Sequence, residues 1–87
     1  MRNSLITLFA LGAIALLPSM AYAQYNQALY YAVKGDWTAA QKQYQIAMRT
    51  APGDSRLAMD DVREALTAHP RIAALKQAQA MLGARIY

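Results

Sequence analysis

The chain opens with one long apolar run and continues with segments whose apolar positions recur at helical spacing. The run extends from Leu5 to Leu17 and is interrupted only by Thr7 and Gly12. Downstream, apolar residues return every three or four positions, which is the spacing of one face of a helix. No stretch alternates apolar and polar residues as a half-buried strand does. The pattern therefore predicts an all-α protein.

Turn residues divide the downstream part into four short predicted helices. They are expected over about residues 25–34, 37–50, 55–68 and 70–82. Gly35 ends the first helix, because glycine tolerates the left-handed conformation of a helix C-terminus, and Asp36 caps the second. Pro52 marks the break before the third helix. Pro70 suits the first turn of the fourth, and Gly83 is expected to end it.

The N-terminal run has the order of a secretory signal peptide. Arg2 precedes the apolar run, a proline follows it, and the small residues Ala21 and Ala23 stand where a signal peptidase reads its substrate. The run has about 13 residues, whereas a membrane-spanning helix needs about 20. We expect cleavage after Ala23, with a signal peptide at 1–23 that contacts the membrane only transiently and a periplasmic or secreted bacterial domain at 24–87.

An uncleaved N-terminal segment is the alternative. It would hold the chain at the inner membrane, as an accessory subunit of an envelope complex. This requires the apolar stretch to be extended through Pro18 to Ala23. A lipid anchor attached to a cysteine is not expected, because the chain has no cysteine.

Composition excludes several kinds of site. The chain has 87 residues, enough for one small domain, and without cysteine it has neither disulfides nor CxxC metal or haem motifs. The formal net charge is +4, with basic residues spread singly along the sequence. Nucleic-acid binders tend to cluster them in patches or stripes. Nucleic-acid binding is therefore not expected.

The first predicted helix pair carries a signature beyond periodicity. Its members are small, aromatic or turn-forming residues at fixed spacing: Ala28, Tyr31, Gly35, Asp36, Trp37, Ala40, Tyr44, Ala47 and Pro52. In this order they resemble a tetratricopeptide repeat, a 34-residue helix–turn–helix unit. The resemblance implies antiparallel helix hairpins that bind other proteins. It covers residues 24–54 well.

The resemblance weakens in the second half of the chain. Residues 55–87 keep Ala74 and Ala78 at suitable spacing but lack the aromatic residues and the Gly-Asp turn. They are interpreted as a degenerate repeat or a pair of capping helices.

The first unit also departs from the repeat pattern, because Gln24 and Gln27 replace a favoured tryptophan and leucine. Since repeats of this kind bury their faces on neighbours, we expect a protein partner or a second copy to cover the exposed faces.

The resemblance also implies a binding face, because the first helix of each pair usually lines a concave surface. The residues expected there are apolar or basic: Tyr25, Leu29, Val33, Arg56, Met59 and Arg63. Arginine pairs bidentately with carboxylates, so this face would accept a short apolar or acidic segment of a partner. Alternatively, Leu29 and Val33 are core residues and Arg56 pairs with Asp60 along its helix.

Catalysis is not expected. Asp60, Asp61 and Glu64 form the acidic cluster of the chain, but Arg63 lies among them and no second ligand segment is evident. His69 is the single histidine, and no serine or cysteine signature accompanies it. We expect no catalytic residues, no metal and no cofactor. The sequence thus predicts an exported helical adaptor rather than an enzyme.

Overall fold

The structure is a computed structural model that describes the backbone of residues 17–86 and the side chains of residues 22–85. It contains four α-helices and a 3₁₀ turn: α1 (Leu17–Val33), α2 (Trp37–Thr50), the turn Pro52–Asp54, α3 (Ser55–Ala68) and α4 (Ala73–Ile86). No strand occurs in this part of the chain, so the all-α prediction is confirmed. Most of the predicted signal peptide, residues 1–16, lies outside the described residues.

A glycine turn joins α1 to α2. Gly35 has a φ of 85°, in the left-handed region that favours glycine. Its N–H donates to the carbonyl of Ala32 at 2.9 Å, and the N–H of Asp36 donates to the carbonyl of Tyr31 at 2.9 Å. These two bonds form a Schellman motif. Asp36 then caps α2 by accepting a hydrogen bond from the N–H of Ala39, as predicted.

Small residues allow α1 and α2 to pack closely. Four alanines on the facing sides of the pair are fully buried: Ala28, Ala32, Ala40 and Ala47. The ring of Tyr44 is buried among the core residues and lies 6.5 Å from Trp37, measured between ring centroids. Because alanine brings the backbones together and tyrosine fills the remaining space, these residues form the core of this hairpin.

The second hairpin, α3 and α4, packs against the first. Val62, Leu75, Ala78 and Leu82 are completely buried and belong to the same core as the alanines of α1 and α2. Helix α4 contacts both α1 and α2. The two hairpins therefore share one core, and no helix of the described residues stands alone.

Tyr25 links the two hairpins. Its hydroxyl donates to the carbonyl of Ala51 at 2.8 Å and lies 3.1 Å from Oγ of Ser55. The Ser55 hydroxyl in turn donates to the carbonyl of Pro52. A side chain of α1 thus satisfies polar groups in the connection between α2 and α3, where the last carbonyls of a helix lack partners of their own.

Both predicted boundaries of the last helix were wrong. Helix α4 begins at Ala73 rather than Pro70, since residues 69–72 form a turn in which the Ile72 N–H bonds to the His69 carbonyl. The same helix continues through Gly83 to Ile86. A Cβ at Gly83 would lie 3.3 Å from Cε of Met59, so this glycine serves close packing between α3 and α4 rather than helix termination.

Helix α1 extends further toward the N-terminus than predicted. It covers Leu17–Val33, whereas the sequence pattern placed its start near Tyr25. Pro18 lies within the described helix. The expected cleavage point between Ala23 and Gln24 therefore lies within a continuous helix. Within residues 17–86, no helix is long and apolar enough to cross a membrane.

Candidate functional site

The face predicted between α1 and α3 is only partly accessible. Tyr25 and Met59 are core residues, 2% and 3% exposed, so within this chain they are not available to a partner. Leu29 and Val33 are half-buried and pack against the core, while Arg56 and Arg63 are exposed. The expected patch is corrected on this point: Tyr25 and Met59 support the fold of this chain, and the two arginines are exposed.

The acidic cluster does not gather into a site. Asp60 and Glu64 are exposed on α3, whereas Asp61 is half-buried and accepts a hydrogen bond from the Tyr22 hydroxyl. His69 lies exposed in the turn before α4. Across the described residues, no three His, Cys, Asp or Glu side chains are grouped so that they could hold a metal ion.

A groove between α2 and α4 was not predicted. It is lined by Gln45, Met48 and Arg49 of α2 and by Met81 and Arg85 of α4, and encloses about 410 Å³. Ligand pockets typically enclose roughly 300–1,000 Å³. We call this the α2–α4 groove. The volume of the α2–α4 groove lies at the lower end of that range.

Helical spacing places the groove residues side by side. Gln45 and Arg49 lie four positions apart on α2, as do Met81 and Arg85 on α4, so each pair shares one helix face. Met48 is 5% exposed and forms the floor, and Met81 is half-buried. The groove therefore has an apolar base beneath polar and cationic side chains.

The electrostatics of the groove favour an anion. Arg49 and Arg85 are exposed in the last turns of their helices. Among the described residues, no carboxylate lines the groove. Helix C-termini attract cations, which gives both arginines a structural role as well. Two guanidinium groups at one opening nevertheless provide paired donors for a carboxylate.

The sequence pattern contained part of this site. Met48 lies four positions after Tyr44, at the apolar spacing that predicted α2, and Arg49 follows it. What the pattern did not contain was the packing of α4 against α2. Met81 and Arg85, at i and i+4, could have indicated the α4 side of the groove. The sequence pattern placed the end of the last helix near Gly83, so Arg85 was not assigned to that helix.

Tyrosines form a second cluster at the junction of α1, α2 and α3. The ring of Tyr25 lies 5.6 Å from that of Tyr22 and 6.4 Å from that of Tyr44, between centroids. Burial and the hydrogen bond to Asp61 raise the pKa of Tyr22 above its ordinary value. Burial, followed by the nearby Asp61 charge, raises the pKa of Tyr44. Both phenols thus remain protonated at neutral pH.

One buried polar atom in this cluster has no partner. The hydroxyl of Tyr44 is inaccessible to solvent and forms no hydrogen bond. A buried hydroxyl without a partner costs about 1–3 kcal/mol in desolvation. The burial of the Tyr44 hydroxyl therefore does not stabilise the core.

The tyrosine cluster and the α2–α4 groove are the two candidate sites in the described part of the chain. Neither contains a nucleophile paired with a base. Comparison with protein-family models, with curated proteins and with solved structures finds no match to this chain.

Proposed function

We propose that this protein is exported and that its mature part, residues 24–87, is a helical adaptor that binds a segment of another protein. The α2–α4 groove carries the proposal. It combines an apolar floor, Met48 and Met81, with two exposed arginines, Arg49 and Arg85. The resemblance of residues 24–54 to a tetratricopeptide repeat supports the same function, since such repeats bind proteins.

The chemistry of the groove indicates what the segment contains. Paired guanidinium groups bind a carboxylate through charge-assisted hydrogen bonds. Methionine side chains are flexible and polarisable, so they adapt to apolar groups of different shapes. The groove therefore fits an aspartate or glutamate that stands next to an apolar side chain. A strongly basic segment is excluded by repulsion from Arg49 and Arg85.

Export is supported by the order of the N-terminal features. Arg2, the apolar run and the small residues Ala21 and Ala23 follow one another as in a secretory signal peptide. In a Gram-negative cell the mature chain would work in the periplasm. The partner would then be another envelope protein.

Charge reversal in the groove tests the adaptor function. We expect Arg49→Glu with Arg85→Glu to reduce recovery of a bound envelope protein at least about tenfold, because hydrogen bonds to charged groups are lost and replaced by repulsion. Lys42→Glu with Lys76→Glu is the matched control, since both lysines are exposed on the same two helices outside the groove. Equal losses in both variants would contradict a specific role of the groove.

A second copy of the chain is the other possible occupant. Co-expression of tagged and untagged chains separates the two cases. If the tagged chain recovers only its untagged copy, and if this recovery depends on Arg49 and Arg85, the groove joins two copies rather than an adaptor and its target. Light scattering would then give the mass of a dimer.

One observation favours a second candidate, an anchored accessory subunit. Helix α1 runs without a break through the expected cleavage point, and Tyr22 is packed against the domain. An uncleaved chain would keep these contacts. The mass of the protein purified from the envelope decides: a chain that begins at Gln24 supports export with cleavage, and a chain that retains Met1 supports anchoring.

A further inference from the structure

The side chain of Tyr22 occupies a defined position on the surface of the domain. It is half-buried, its hydroxyl donates to Oδ2 of Asp61, and its ring lies 5.6 Å from the ring of Tyr25. Asp61 belongs to α3 and Tyr25 to α1. We call this position, formed by Tyr25, Tyr44 and Asp61, the Tyr22 site.

Tyr44 packs against Tyr25 in the core beside this site. The ring of Tyr44 lies 6.4 Å from that of Tyr25. Its hydroxyl is buried without a hydrogen bond, and it is close enough to Asp61 and Tyr22 for both to influence it. The site thus offers a carboxylate acceptor, Asp61, that matches a hydroxyl donor.

Charges around the site restrict the occupant further. Asp54, Asp60 and Asp61 all act electrostatically on Tyr22. An anionic side chain is therefore disfavoured at this position. An aromatic ring that carries a hydrogen-bond donor has both the shape and the polarity that the site requires.

Cleavage after Ala23 removes Tyr22 while leaving Tyr25, Tyr44 and Asp61 in the mature chain. We propose that processing opens the Tyr22 site, which then accepts the tyrosine side chain of a partner segment. The incoming ring packs on Tyr25 and its hydroxyl donates to Asp61, as Tyr22 does in the full chain. This inference rests on the proposed export. It is a separate contact from the α2–α4 groove, because its residues include none of those that line the groove.

The full chain with Tyr22→Ala tests the proposal without relying on processing. Alanine is the best helix former, so the substitution empties the site and leaves α1 intact. The probes are N-acetyl-tyrosinamide, N-acetyl-phenylalaninamide and N-acetyl-lysinamide. Binding is followed by NMR, through the backbone amide shifts of Tyr25 and Asp61.

We expect saturable shifts with the tyrosine amide, at an affinity at least about fivefold higher than with the phenylalanine amide, since a hydrogen bond to a charged group is gained. The wild-type full chain should show no such binding, because Tyr22 fills its own site. Adding Asp61→Asn should weaken the preference for tyrosine, and the control Asp60→Asn should leave it unchanged. Equal binding of phenylalanine, tighter binding of lysine or equal binding to the wild type overturns the proposal.

A thermodynamic cycle keeps the proposal testable if Tyr22→Ala does not fold. Tyr22→Phe retains the ring and removes the hydroxyl. If the hydroxyl and Asp61 recognise each other, Tyr22→Phe and Asp61→Asn will lower the melting temperature in a non-additive way. Additive effects would overturn the recognition. Neither result bears on export, which the mass of the envelope protein tests separately.

Discussion

At the scale of single residues, two buried tyrosines differ in hydrogen bonding: the hydroxyl of one has a partner and the hydroxyl of the other has none. The hydroxyl of Tyr25 donates to the carbonyl of Ala51, whereas the hydroxyl of Tyr44 has no partner. Both rings lie in the core. The contribution of each hydroxyl to stability should therefore differ in sign, although the two side chains are chemically identical.

Removing each hydroxyl in turn tests this difference. We expect Tyr25→Phe to lower the free energy of unfolding by about 1–2 kcal/mol, because it leaves polar groups of the α2–α3 connection unsatisfied. Tyr44→Phe should leave stability unchanged or raise it by up to about 1 kcal/mol, since it removes a buried group that has no partner. Urea denaturation of the purified chain measures both. A loss in Tyr44→Phe as large as in Tyr25→Phe would show that the Tyr44 hydroxyl has a partner in solution.

At the scale of the helices, one left-handed residue determines how α1 is followed by α2. Gly35 closes the Schellman motif, and Asp36 at once begins α2 as its N-cap. Gly35 and Asp36 in the connection between α1 and α2 thus each have a defined structural role. Any residue other than glycine at position 35 has to adopt a left-handed backbone conformation that L-residues avoid.

Gly35→Ala should consequently destabilise the protein by about 1–2 kcal/mol. A Cβ at this position meets nothing within 4 Å, so the cost is conformational and not steric. Gly53→Ala is the matched control, because that Cβ is also unobstructed and Gly53 does not have a positive φ. Thermal denaturation should show a melting temperature about 4–8 °C lower per kcal/mol for Gly35→Ala, and little change for Gly53→Ala. Similar melting temperatures for the two variants would contradict this role of Gly35.

The helices were more predictable than the contacts between them. Helices α2 and α3 were predicted with their observed bounds, because Asp36 and the break around Pro52 are strong local signals. The ends of α1 and α4 were not, since Pro18 and Gly83 are tolerated inside a helix for reasons of position and packing. The α2–α4 groove depends on which helices become neighbours, and helical periodicity carries no such information.

At the scale of the whole molecule, the tyrosine cluster makes stability depend on alkaline pH. The pKa values of Tyr22 and Tyr44 are raised in the folded chain, mainly by burial. Below about pH 10, folded and unfolded chains both hold these protons. Above it, the unfolded chain releases them and the folded chain does not. Stability due to the protonated phenols is therefore present below pH 10 and lost as the pH rises further.

Urea unfolding of the full chain, which retains Tyr22, measures this loss between pH 9 and pH 11. For a fully buried tyrosine, the free energy of unfolding falls by up to about 1.4 kcal/mol per pH unit above its unfolded pKa. Tyr44→Phe should reduce the slope, because one of the raised phenols is removed. An equally steep slope in the variant would show that other groups cause the alkaline loss.

At the same scale, the α2–α4 groove is a consequence of how the helices pack. The α2–α4 groove exists because two hairpins share a core, which brings Arg49 and Arg85 to one opening. The proposed adaptor function thus depends on an arrangement that neither hairpin contains alone. A direct test has to detect contact at the groove itself.

Site-specific photocrosslinking in the envelope gives that test. A photoreactive amino acid replaces Met81 in the groove, or Lys76 on the same helix outside it. The account predicts one discrete adduct with a larger protein from position 81, which is lost when Arg49→Glu and Arg85→Glu are added, and none from position 76. Absence of an adduct at position 81, or the same adduct from both positions, would contradict it.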